Sequence, residues 1–192
     1  MNSVILHGGR EPHAGLDAAC DHLADAFTGL GATVRTLRLA EMRIRPCAGC
    51  FGCWLRTPGE CVHDDDGREV ARALVEADVR VFLTPVTFGG YSSLIKTAEE
   101  RGIPTISPLF RTIAGEMHHR RRYDYPSVLL AVGWQEAADA ESAAVFASLV
   151  RRNGLNLHAL AAESLVLTAA LPAAEQRERI AALAARAKGA LS

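Results

Sequence analysis

Apolar and polar positions along the chain fall into two kinds of block. Short apolar runs bounded by Gly or Pro read as buried strands: Ser3–His7 (SVILH), stopped by Gly8-Gly9; Val79–Thr84 (VRVFLT), stopped by Pro85; and Ser127–Gly133 (SVLLAVG), the most apolar of them. Thr33–Leu39 (TVRTLRL) mixes β-branched residues with arginines and reads as a strand exposed at a sheet edge. Between these runs apolar residues recur at helical steps. Leu16, Cys20, Leu23, Phe27 and Leu30 share one face, and Gly29 and Gly31 end that helix. Val70, Ala73, Leu74 and Ala77 share a face of a helix over Gly67–Ala77. Further helices are predicted over Leu94–Arg101, over Ala138–Arg152 with a C-cap at Asn153-Gly154, and after Pro172, where Ile180, Leu183, Ala184 and Ala187 align. A last strand falls at Leu155–Leu160, with Ser164–Thr168 as its continuation or its rival. Ile103–Pro126 is less regular, and no element is assigned there.

Strand and helix alternate five times, which implies parallel strands joined by crossover helices in a three-layer α/β sandwich. Ligands of such sheets bind beyond the C-terminal strand ends. Each irregular, glycine-bearing loop follows a strand: Gly8–Gly15, the stretch after Leu39, Pro85–Ser92, and Gly133 onward. The topology therefore places them on one rim. No repeat, linker or composition break interrupts residues 1–192, so a single domain is expected.

Composition narrows the function class. A formal charge of −1 gives no electrostatic footprint for nucleic acid. No apolar run approaches the roughly 20 residues that span a bilayer. MNSVILHGG has no basic flank before its apolar run, so no signal peptide is expected. The five cysteines are clustered and odd in number, which suits metal or redox use in a reducing compartment, the cytoplasm. Cys20 lies on the apolar face of the first helix and reads as core. Asp64-Asp65-Asp66 precedes a helix and reads as its cap.

The densest chemistry lies in Arg45–Asp66, RPCAGCFGCWLRTPGECVHDDD. Cys47, Cys50, Cys53 and Cys61 follow the spacing C-x2-C-x2-C-x7-C. Four thiolates can hold a [4Fe-4S] cluster. They can hold a structural zinc, although zinc ligands usually fall into two separated pairs. They can also be plain reduced thiols or a redox disulfide. Spacing leaves these readings open. A second polar run, Glu116–Tyr123 (EMHHRRRY), offers arginines for phosphates of NADPH or a histidine for proton transfer, against the plainer reading of a solvated loop or a subunit salt-bridge patch.

PCAGCFGCW followed by TPGECVHDDD, then TPVTFGGYSSLIK, then GEMHHRRRY before a strand ending in Gly133, resembles the flavodoxin-like NAD(P)H-dependent FMN reductases, and within them the iron-sulfur flavoproteins. The resemblance covers the whole chain. It implies a flavodoxin-like five-stranded parallel sheet of order 2-1-3-4-5, bound FMN, and a homodimer or homotetramer. Electrons would come from NAD(P)H, or through a cluster on the four cysteines, and pass through FMN to a small-molecule acceptor. Carried over by position, Gly8, Gly9 and Arg10 match the phosphate loop, which reads GGREPHAG here and lacks the family's hydroxyls. Arg10, and His13 when protonated, are its compensating groups, while Glu11 opposes an anion. Pro85, Val86, Thr87, Phe88, Gly89, Gly90 and Tyr91 match the loop under the isoalloxazine, with Phe88 and Tyr91 as stacking candidates. Gly133 and Trp134 match the third flavin loop. The alternative is a flavodoxin-like redox- or iron-sensing protein with weakened FMN binding, or a partner-dependent electron carrier.

Overall fold

The computed structural model describes residues 1–192. Five strands form one sheet: β1 (Asn2–His7), β2 (Thr33–Arg38), β3 (Val79–Pro85), β6 (Val128–Gln135) and β7 (Ala162–Thr168). Their order is β2-β1-β3-β6-β7, and every pairing is parallel. Counting only the strands of this sheet, that is the expected 2-1-3-4-5 order. Ser164–Thr168 is the last strand, within β7, and Leu155–Leu160 is not one.

Side-chain alternation along the strands builds two cores. Ile5, Val81, Leu83, Leu130 and Val132 face α1 (Ala14–Gly29) and α6 (Ala173–Ala190), meeting Leu16, Leu23, Phe27 and Leu183. Val4, Leu6, Phe82, Leu129 and Ala131 face the other way, onto Val70 and Leu74 of α3 (Gly67–Glu76), Ile95 of α4 (Ser93–Glu100) and Phe146 of α5 (Ala140–Asn156). All eight residues of β6 are buried, because both of its faces are covered, and it therefore reads as an unbroken apolar run. β2 lies at the edge, and only Leu37 of its six residues is buried.

Two further expectations are corrected. Ile106–Ile113 (β4) and Glu116–Arg121 (β5) form an antiparallel hairpin outside the main sheet. Its turn is the pair Ala114-Gly115, at φ 49° and 81°; two positive φ values in a two-residue turn suit the strand twist. Asn153-Gly154 does not end α5, which runs to Asn156 with Leu157 as its cap. Gly154 serves packing instead: a Cβ there would come 2.3 Å from that of Ala162 in β7. No helix is long and apolar enough to cross a membrane.

Candidate functional site

The C-terminal ends of β1, β3 and β6 bring three loops together. After β1, Gly8 donates its N–H to the Leu83 carbonyl at 2.7 Å. A Cβ on Gly8 would lie 2.5 Å from Ile95 and 2.7 Å from Ser92 Oγ, so glycine lets this loop seat against the start of α4. Arg10 is exposed and donates to Ser93 Oγ at 3.3 Å. Ser93 and Thr97 line the same shallow depression as Arg10. The hydroxyl beside Arg10 thus comes from α4, which the first loop's own sequence could not reveal.

The N-terminus of α1 is closed by its own chain. His13 Nδ1 accepts from Leu16 N at 3.3 Å, and His13 Nε2 lies 2.7 Å from Glu136 Oε1, which also accepts from Trp134 Nε1 at 2.8 Å. These two hydrogen bonds, Trp134's first and His13's second, hold the Glu136 carboxyl below its ordinary pKa. The Trp134 ring is pressed on the helix backbone: a Cβ at Gly15 would come 2.1 Å from it. Trp134 is therefore a wall, with little free face to stack on a flavin.

After β3, Thr87 and Gly90 exchange two backbone hydrogen bonds at 3.0 and 2.8 Å around Phe88-Gly89, whose φ values are 49° and 72°. This two-residue turn favours Asn-Gly, because both central residues sit in the left-handed region. Phe88 occupies the first of those positions and is 99% exposed. Gly89 fits close against Val145 and the Ser142 carbonyl of α5. Beside the turn, Pro85, Val86, Phe88, Trp134 and His13 line an open pocket of about 750 Å³.

Two residues predicted as flavin contacts are buried beneath the rim. Tyr91 is 5% exposed and packs edge-on between Phe82 and Phe146, 5.6 Å from each. Its hydroxyl accepts from Asn153 Nδ2 at 3.2 Å, and burial raises its pKa. Gly133 is buried inside β6, where a Cβ would meet Val86 at 2.6 Å, so it lets the second loop close down. Gly8, Gly9, Arg10, Pro85, Val86, Thr87, Phe88, Gly89, Gly90 and Trp134 remain at or around the rim.

The cysteine loop lies between β2 and α3. Cys47, Cys50, Cys53 and Cys61 are free thiols that line one narrow pocket with Phe51 and Arg101. Phe51 has φ 53°, and the short helix α2 (Gly52–Leu55) starts at the next residue. A Cβ on Gly52 would come 2.6 Å from Val62, so the Cys53 turn lies directly against the Cys61 strand of the loop. Burial first, then the charges of Cys61, Cys47 and Cys50, pushes the Cys53 thiol up. No three His, Cys, Asp or Glu side chains converge enough to hold one metal ion. Zinc would need sulfurs about 3.8 Å apart around one centre.

Asp65 and Asp66 fasten this loop rather than simply capping α3. Asp66 accepts from Arg43 N at 2.6 Å. Asp65 accepts from Arg45 N at 3.1 Å, from Gly67 N at 3.0 Å, and from both Arg101 terminal nitrogens at 2.8 and 2.9 Å. Arg101 also donates to the Arg45 carbonyl at 2.7 Å. Its side chain is 1% exposed, and its Nε is buried without a partner. Burial works against the Arg101 charge, but Asp65 and Cys61 work for it, and its pKa ends above the usual value. The Arg101 guanidinium, ahead of the Arg45 and Gly67 amides, holds the Asp65 carboxyl down at about 2, against 3.8 ordinarily. A carboxyl depressed on folding adds stability above about pH 4 that disappears as pH falls toward 2. Asp65→Asn strands the buried Arg101 charge, so wild type should exceed it by about 3–5 kcal/mol at pH 7, and about 1–2 kcal/mol of that gap should disappear as pH falls toward 2, in urea titrations. A gap independent of pH would contradict the assignment.

Residues 1–122 match the sequence family described as NADPH-dependent FMN reductase. The chain belongs to that family. Among curated proteins, this FMN reductase relative is 28% identical over 104 residues to an iron-sulfur flavoprotein of Methanocaldococcus jannaschii, covering 54% of this chain and 53% of that protein. The chain thus spans about half the length of that relative. Among solved structures, the NAD(P)H:quinone oxidoreductase of Methanothermobacter marburgensis superposes with TM-score 0.67 at 14% identity, over 97% of this chain and 94% of that one. An FMN-dependent NADH-azoreductase of Bacillus anthracis, solved with FMN, gives 0.65 at 10% identity, over 97% and 99%. These likenesses establish the fold of the FMN reductase family member described here.

Proposed function

We propose that the protein is an FMN-dependent oxidoreductase that takes electrons from NAD(P)H and delivers them to a small acceptor. The observation that carries this reading is Phe88: an aromatic ring held fully in solvent, on a left-handed backbone, beside an open pocket at the C-terminal rim. Such strain persists where function uses it. FMN supplies the redox chemistry when bound. Phe88 and the Pro85–Val86 edge offer the ring surface, Arg10 with Ser93 and Thr97 offers the phosphate contacts, and the backbone amides of Thr87–Gly90 fix the turn. Cys47, Cys50, Cys53 and Cys61 are the ligands proposed for a [4Fe-4S] cluster. Their shared pocket, with the buried Arg101 charge on its wall, supports that donor set. Unpaired thiols suit a reducing cytoplasm. Leu109, Phe110 and Met117, exposed on the hairpin, mark the face proposed for a homodimer or homotetramer.

The test is titration of anaerobically purified protein with FMN, with iron and sulfide assayed, NADPH and NADH oxidation followed, and mass in solution determined on the same sample. FMN uptake, pyridine-nucleotide oxidation and a mass above one chain are expected. Protein that takes up FMN but oxidises neither nucleotide would defeat the enzyme reading, and a monomer would defeat the assembly. Phe88→Gly separates strain from binding. Stability should rise by about 0.5–1 kcal/mol, because glycine suits the left-handed position. FMN affinity should fall about tenfold as a stacking face is lost. Unchanged affinity would remove Phe88 from the site. A second reading, a redox or iron sensor, draws on the α1 N-terminus, where the His13 cap occupies Leu16 N. It predicts weak FMN uptake with cysteine-dependent partner binding.

A further inference from the structure

On the α3 side of the sheet, away from the rim, a groove of about 1060 Å³ runs from Cys61 past Arg68 and Arg72 to Tyr123 and Tyr125. The same two tyrosines form part of an adjoining narrow niche, where Arg80 and Arg121 face one space beside Thr105 and His158. No carboxylate lines that niche. Arg80 is the second residue of β3, at the strand end opposite the rim. It is half-buried, and its Nε donates to the Leu74 carbonyl at 2.6 Å, with no carboxylate within ion-pair distance. Arg121 donates to the His158 carbonyl and lies 3.6 Å from the fully exposed Asp124.

Burial first, and the Arg121 charge second, bring the Arg80 pKa down to about 10, so it remains protonated at neutral pH. Burial likewise lowers the His158 pKa, and that residue stands at φ 54°, another non-glycine in the left-handed region. Two guanidinium groups sharing one space, with only the exposed Asp124 beside Arg121 and no carboxylate beside Arg80, are costly. A bound oxyanion offsets that cost through charge-assisted, fork-shaped hydrogen bonds. The tyrosine rings at the niche mouth offer flat apolar surface to whatever carries the charge.

We infer that the niche binds the oxyanion of an aromatic small molecule, a carboxylate or a phosphate ester, whose planar body lies along Tyr123 and Tyr125 toward Cys61. This site does not depend on the flavin reading, because none of its residues is on the rim.

The test measures binding of 1-naphthyl phosphate, 1-naphthoate and uncharged 1-naphthol to the full chain by calorimetry, with and without FMN. Both anions should bind at least about tenfold tighter than naphthol, and Arg121→Gln should lose about tenfold of that. Tighter binding of the phosphate ester would assign that class, and tighter binding of naphthoate the carboxylates. Tyr125→Ala, at a half-exposed position, should weaken the aromatic anions but leave inorganic phosphate binding unchanged. Bound 1-naphthyl phosphate should also slow maleimide labelling of Cys61 and leave that of Cys50 unaffected. Arg80→Gln repeats the test at the buried arginine, and Arg121→Gln stands alone should Arg80→Gln not fold. Equal affinity for anions and naphthol, retention of affinity in Arg121→Gln, or competition with FMN would overturn the inference.

Discussion

Arg101→Met is expected to cost about 3–5 kcal/mol and to open the cysteine pocket. Arg101 is almost wholly buried, and it ties Asp65, the Arg45 carbonyl and the sulfur pocket together. Methionine fills much of the volume but leaves Asp65 with a desolvated charge and two backbone contacts. Removing one partner of a buried pair is far more damaging than its net contribution suggests, because the other charge is stranded. The loss should appear in urea denaturation, and faster alkylation of Cys53, 8% exposed in the native fold, should accompany it. The double variant Arg101→Met/Asp65→Asn should recover part of the stability, since no charge is then stranded. Equal losses in the single and double variants would show that Arg101 acts by packing alone.

Phe146→Ala should cost a similar amount, about 3–5 kcal/mol, and weaken flavin binding with it. Phe146 is fully buried, stands edge-on to Tyr91 and lies beside Gly133. It belongs to α5, whose Val145 and Ser142 back the Phe88-Gly89 turn. A cavity beneath α5 therefore loosens both the core and the platform for the ring. Phe146→Leu should retain most of the stability and most of the FMN affinity. Parallel measurement of urea midpoints and FMN dissociation constants checks this. Full FMN affinity in a destabilised Phe146→Ala would uncouple the turn from α5.

Periodicity reveals most of the sheet and little of what holds the site. β6 is readable because both faces are buried, leaving seven apolar or small residues in a row. The β4–β5 hairpin is not, because it packs beside the sheet, carries polar residues on both faces, and turns on Ala-Gly instead of Asn-Gly. Gly154 has the look of a helix terminator, but its missing side chain serves a contact with Ala162. Phe88 and Tyr91 are equivalent by residue type. Only the turn, and the depth of Phe82 and Phe146, send one outward and the other into the core. The cysteine spacing is plain in the sequence, whereas the Asp65–Arg101 clasp joins residues 36 apart and has no local signal. Ser93 escapes notice for a related reason, since it reaches Arg10 only after α4 docks against the first loop.

The Trp134 ring pressed on Gly15 has a consequence for descent. A side chain at position 15 needs a smaller one at 134, and the indole tolerates only glycine beneath it. Position 15 cannot gain a side chain until position 134 has shrunk, so the order of change is fixed, and a lineage with a side chain at 15 must already have lost the indole at 134.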